Sequence, residues 1–300
     1  MRRASFVVVS VVCVAAIGAP GVAHAQMYES VGIRAQGMGG AFVGVADDAT
    51  ATWWNPAGLA GGAYFNVLAE YGRPDASDDS QQVVAAAFPA LGLSYYRLPV
   101  SQMRPPVPTG GGVSSRLDQG YLSQFGTTFG QSIGNVVIAS TVKVLNASGD
   151  THVDLDLGAM VKAGRVRAGV SLRNLHETDF GAGADALSLR RVARAGVSVT
   201  ADPGSVSVTL AADADLTSVA TAAGDERHIA GGAELWVWKR IIGVRGGLGY
   251  ETNHSLHSQS GGLSLMVLAG QYLHTYLDGQ WTGGADPMRR GWGMDLRLTF

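Results

Sequence analysis

Large apolar side chains alternate with small, polar or charged ones along most of the chain, and turn-forming residues interrupt the alternation at regular intervals. A period of two places one set of side chains on each face of a β-strand. In the closing stretch, Trp292, Met294, Leu296, Leu298 and Phe300 share one face, opposite Gly293, Asp295, Arg297 and Thr299. The pattern predicts fourteen strands, at 63–71, 81–88, 91–98, 120–130, 135–146, 151–162, 165–175, 190–200, 205–215, 226–238, 241–251, 260–268, 271–280 and 290–300. Short connections at 89–90, 131–134, 163–164, 201–204, 239–240 and 269–270 alternate with longer ones at 72–80, 99–119, 147–150, 176–189, 216–225, 252–259 and 281–289.

An even number of segments, most near the roughly 9–11 residues a tilted strand needs to cross a bilayer, points to an all-β fold: a 14-stranded antiparallel transmembrane β-barrel. Short turns on one rim and longer loops on the other fit the same architecture. Val153, Leu155, Leu157, Ala159 and Val161 are expected to face lipid, with His152, Asp154, Asp156 and Lys162 inward. Val166, Ala168, Val170 and Leu172 continue the outer face, as do Val206, Val208 and Leu210. Arg165, Arg167 and Arg173 fall inside, with Ser207, Thr209, Asp213 and Asp215. A one-residue slip would carry these charges into lipid, so the register is strongly specified. A two-residue turn at Ala163-Gly164 sets Lys162 opposite Arg165, Asp156 opposite Ser171 and Asp154 opposite Arg173. A turn at Lys239-Arg240 sets Glu234 opposite Arg245. Both oppositely charged pairs are then within cross-strand contact. Tyr64, Tyr71, Tyr95, Tyr121, Trp236, Trp238, Tyr250, Tyr272 and Trp292 lie near strand ends, where aromatics form interfacial girdles.

Residues 1–25 read as an export signal. Arg2 and Arg3 precede an apolar run from Phe6 to Ile17, and Ala23-His24-Ala25 supplies a small-residue cleavage site. That run is shorter than the roughly 20 residues of a membrane-spanning helix, and none after residue 26 is long enough. The one cysteine, Cys13, lies in this leader, so the mature chain is expected to hold no disulfide, thiolate metal site or cysteine nucleophile. With 42 glycines and 15% charged residues, the chain is poorly suited to a helical fold. A formal charge of −2, more negative once Arg2 and Arg3 are removed, gives no nucleic-acid signature.

Residues 26–62 do not alternate. Gly37-Met38-Gly39-Gly40 permits tight turns, Asp47-Asp48 can cap a short helix over Ala49 to Trp54, and Asn55-Pro56 ends it. Met38, Phe42, Trp53, Trp54 and Leu59 are too apolar for an exposed tail, so the segment is expected to fold into the barrel (63–300) as a plug. The stretch from Gly32 to Ala60 carries GMGGAF, ADDA and WNPAGL in order. It resembles the N-terminal signature of the FadL-type and PorV-type outer-membrane families. Val170 to Leu175, Ala233 to Trp236 and Val244 to Gly247 look more like the PorV side.

The FadL resemblance implies passive passage of small hydrophobic molecules past an N-terminal hatch and out through a gap in the wall. Asn55, Pro56 and Ala57 match the hatch triplet, and Met38, Phe42, Trp53 and Trp54 would line the obstruction. This chain is shorter than typical FadL proteins and has no long apolar loop insertion. Its third strand, Leu91 to Leu98, offers little beyond Gly92 to kink it. The PorV resemblance implies a non-transporting scaffold or secretion-accessory barrel with a secretion-machinery partner. Either way the implied setting is the bacterial outer membrane, in contact with its lipid, with no cofactor.

Other chemistries are weaker. The Gly37 turn follows no strand and lacks the lysine of a phosphate loop. His254 and His257 have only Glu251 near them in sequence as a further metal ligand. Asp154/Asp156 and Asp213/Asp215 are better read as lumen carboxylates paired with arginine than as protease acids, and no enzyme is expected.

Overall fold

In hydrocarbon every backbone N–H and C=O must be satisfied within the protein, so a sheet there has to close on itself. The computed structural model, which describes residues 31–75, 79–99, 120–147, 149–181, 187–221, 224–252, 256–285 and 289–300, is such a sheet. The expected export signal, residues 100–119 of the long connection after the third strand, and His254 lie outside the described residues.

Fourteen strands close into an antiparallel barrel. They are β1 (Asn66–Pro74), β2 (Gln81–Phe88), β3 (Leu91–Pro99), β4 (Tyr121–Ile133), β5 (Val136–Ala147), β6 (Asp150–Ala163), β7 (Val166–Arg173), β10 (Val192–Ala201), β11 (Ser207–Asp215), β14 (His228–Val237), β15 (Ile242–Glu251), β16 (Leu256–Ala269), β17 (His274–Gly284) and β18 (Gly291–Thr299). Two short hairpins, β8 (Thr178–Phe180) with β9 (Leu187–Leu189) and β12 (Val219–Thr221) with β13 (Gly224–Glu226), sit in the loops of one rim. β1 pairs with β18 to complete the ring, and Phe65 and Phe300 exchange backbone hydrogen bonds of 2.8 and 3.3 Å beside that seam.

The faces divide as alternation predicts. Val153, Leu157, Val161, Val166, Val170, Val197, Leu210, Leu235 and Leu263 are exposed on the outside, while Asp154, Asp156, Ser171, Asp213, Asp215, Glu234 and Arg245 are buried inside. Leucines and valines of this kind around a closed sheet make the apolar band of an outer-membrane barrel. No described helix is long and apolar enough to cross a membrane. Of the aromatics near strand ends, Tyr64, Trp238 and Tyr272 are strongly exposed, whereas Trp236 turns inward and meets Tyr276 edge-on at 5.5 Å.

Two expectations need correction. Between β6 and β7, Ala163 pairs with Val166 and Gly158 with Ser171, so the turn is Gly164-Arg165 and the register is two residues from that expected. Gly164 has φ +63°, which suits glycine at the first turn position of a type II′ hairpin. Asp154 is therefore not directly opposite Arg173. The β5–β6 connection is also as tight as those on the opposite rim, with Ala147 paired to Asp150.

β3 pairs without a break with both neighbours. The β6–β7 ladder, in contrast, stops at Leu157–Leu172 although β6 continues to Asp150. Beyond that point Asp156 accepts a hydrogen bond from the Asn174 N–H (2.8 Å) and Asp154 one from His176 N–H (3.0 Å). Two carboxylates stand in for part of the missing ladder.

Candidate functional site

Residues 31–62 carry the apolar side chains that alternation could not place. They form α1 (Ile33–Gly37), α2 (Ala51–Trp54) and a 3-10 turn (Pro56–Gly61). Asn55 is extended and ends α2, and its side chain accepts a hydrogen bond from Ala57 N–H (3.1 Å), capping the turn that follows. The same amide donates to Val43 C=O (3.1 Å) and Ala159 C=O (3.3 Å). A fully buried amide satisfied at both ends ties this segment to itself and to β6.

Inward-facing polar groups from strands all round the barrel hold the rest. Asp213 of β11 accepts from both Phe42 and Val43 N–H at 2.7 Å. Glu70 of β1 accepts from Gly32 N–H (2.9 Å), Ser260 of β16 from Gly39 N–H (2.9 Å) and Asn66 from Ala49 N–H (2.8 Å). Arg167 of β7 and Ser198 of β10 donate to Val45 and Gly44 C=O at 3.0 and 2.8 Å. Short helices leave many backbone groups unpaired, and here the wall supplies the partners. Glycines make the approach possible. Gly232 and Gly247 face each other across β14 and β15, where a Cβ on Gly232 would lie 2.8 Å from that of Met38 and one on Gly247 would collide with the Met38–Gly39 peptide.

Met38, Phe42, Trp53 and Trp54 are at most 1% exposed. Trp53 packs edge-on to Tyr96 (5.0 Å) with the Arg173 guanidinium 3.9 Å above its ring, and Phe42 meets Trp54 at 6.2 Å. A water-wide passage beside these four side chains would leave them exposed. No such passage runs beside them.

Arg34 grips Glu234 with two hydrogen bonds of 2.6 and 2.7 Å, a bidentate geometry, and also meets Asp47 and Asp48. Burial opposes its charge, but Asp47, Glu234 and Asp48 together raise its pKa well above the ordinary arginine value. Burial alone would raise the Asp47 carboxyl. Arg34 and Arg167 outweigh it and hold Asp47 below the usual aspartate range.

Of the two sequence-derived charge pairs, Glu234 and Arg245 are directly opposed, with Nε 3.5 Å from the carboxylate. Arg245 also reaches Asp278 at 3.0 Å, which Arg297 holds from the other side at the same distance. Asp154 and Arg173 are not brought together as a cross-strand pair. Lys143 of β5 lies between Asp154 (3.5 Å) and Asp156 (2.7 Å), and Arg173 covers Trp53. Sequence reasoning named neither Lys143 nor Tyr96, and it placed Asp213 inside without its role. Their inward positions were legible, but their partners in a non-repeating segment were not. Among the described residues no group of three or more potential metal ligands converges.

No family model matches the chain, and no curated protein matches it. Solved structures do share its fold. A FadL homologue from Pseudomonas aeruginosa is 9% identical, with a TM-score of 0.54 over 91% of this chain and 98% of that one. The toluene transporter TodX of Pseudomonas putida is 11% identical, with a TM-score of 0.51 over 92% and 98%. At these identities the likeness is one of fold: a bacterial outer-membrane type of barrel.

Proposed function

We propose that this barrel is a passive, gated conduit for small hydrophobic molecules across the outer membrane, with residues 31–62 as its plug and Asn55, Pro56 and Ala57 as the hatch. The observation that carries the reading is the apolar cluster of Met38, Phe42, Trp53 and Trp54, set inside a wall whose inward positions are otherwise rich in charge. It is held by hydrogen bonds and ion pairs rather than by a strand ladder, so it can shift without breaking the ring. An oily solute gains free energy by following such a surface rather than water. That a protein of the same fold is a toluene transporter supports the class of solute. Exit through a kinked third strand finds no support, since β3 is fully paired.

The test is uptake of N-phenylnaphthylamine, a hydrophobic dye, by cells carrying the protein in their outer membrane. Wild type should admit more dye than empty cells, and Asp213→Ala, which releases Phe42 and Val43, should admit more still. A second reading, a PorV-like non-transporting scaffold with a secretion partner, draws on the Arg34 clamp, which favours a bore that stays shut. It requires dye entry to equal that of empty cells in wild type and variant alike.

A further inference from the structure

At the short-turn rim a cavity of about 370 Å³ opens between the Pro56–Gly61 turn and the ends of β4 to β7. Its volume lies at the small end of the roughly 300–1,000 Å³ typical of small-molecule sites. Ala57, Val137 and Met160 give it an apolar side. Lys162 and Arg167, cross-strand neighbours on β6 and β7, give it a cationic one. No carboxylate lines it. Arg167 is partly neutralised, because its Nη1 donates to Val45 C=O and lies 3.9 Å from Asp47. Lys162, which also lines the cavity, has no such acid beside it among the described residues. Ser132 and Asn135 add neutral hydrogen-bonding groups at the same mouth.

We infer that this cavity binds a small organic anion with a compact apolar body, such as an aromatic carboxylate. Lys162 would hold the acidic head and Met160, Val137 and Ala57 the body. A neutral solute would leave the ammonium unpaired, and a bare inorganic anion would leave the apolar wall against water. The site stands whether or not anything crosses the barrel, because equilibrium binding needs no passage.

The experiment is calorimetric titration of the mature protein in lipid nanodiscs with benzoate, benzyl alcohol and inorganic phosphate. Benzoate should saturate one site per chain, with the other two at least tenfold weaker. Lys162→Gln should weaken benzoate about tenfold while Lys162→Arg retains it. Both changes lie at an exposed position, and unaltered heat-modifiability on gels will verify that the barrels are folded. Absence of saturable benzoate binding, or equal affinity in Lys162→Gln, would overturn the site. Phosphate binding as tight as benzoate would overturn the organic body, and benzyl alcohol binding as tight would overturn the role of charge.

Discussion

Glu234 and Leu235 are neighbours on β14, yet Leu235 faces outward among apolar side chains while Glu234 is gripped by Arg34 and lies beside Arg245. The outer face asks only for apolar character, and Val, Leu, Ile, Trp and Met all serve there. The inner face asks for particular partners, because a buried charge without one is expensive. One face is therefore tolerant and the other exacting, along the same backbone.

The sharpest way to break the comparison is Glu234→Ala, which takes from buried Arg34 its bidentate partner and leaves buried Arg245 with Asp278 alone of its two acids. Removing one partner of such a set costs about 3–5 kcal/mol, and trypsin should begin to cleave after Arg34 in the folded barrel. On the outer face, Leu210→Lys puts a charge into lipid and should cost about 2–4 kcal/mol in denaturant unfolding from bilayers, while Arg34 stays protected from trypsin. Gly232→Ala crowds Met38 from the wall side. An overpacking cost of about 1–3 kcal/mol should appear as faster proteolysis of residues 31–62 with the barrel intact.

Acid should act on the inner set alone. The Asp47 carboxyl has a lowered pKa in the folded protein, so its contribution is complete above its unfolded value near 3.9. It is lost as pH falls through the folded value, while Arg34 stays charged, and protease access to residues 31–62 should rise over that acid range. The smallest effect is expected for Val170→Leu, within about 0.5 kcal/mol, read as an unchanged unfolding midpoint.

The same contrast explains how far the sequence could be read. Strand positions and faces came through because lipid imposes one rule at every second residue, as Leu155, Leu157 and Ala159 follow around Asp156. The Glu234–Arg245 opposition came through because it needed only a hairpin centred between Lys239 and Arg240. The β6–β7 register did not, since a glycine at position 164 is compatible with turns centred on either side of it and only its dihedral separates them. The contacts of residues 31–62 were out of reach for a different reason. Asp213 meets Phe42 from 171 residues away, and Arg34 meets Glu234 across 200, with no repeat to tie the partners together. Gly232 and Gly247 read as ordinary strand glycines until the chain crossing them is in view.

The seam where Phe65 and Phe300 exchange hydrogen bonds has a consequence for biogenesis. A ring joined through its first and last strands cannot shut until β18 has been made, and until then it carries two raw edges able to recruit other chains. Joining such distant ends adds little in loop entropy, about 0.6 kcal/mol for each doubling of length, so the hazard is waiting time rather than energy. Residues 31–62, which hydrogen-bond to inward-facing side chains of the wall, run directly into β1, so if they plug the ring, assembly must either wrap the wall around them or draw them in through one mouth afterwards.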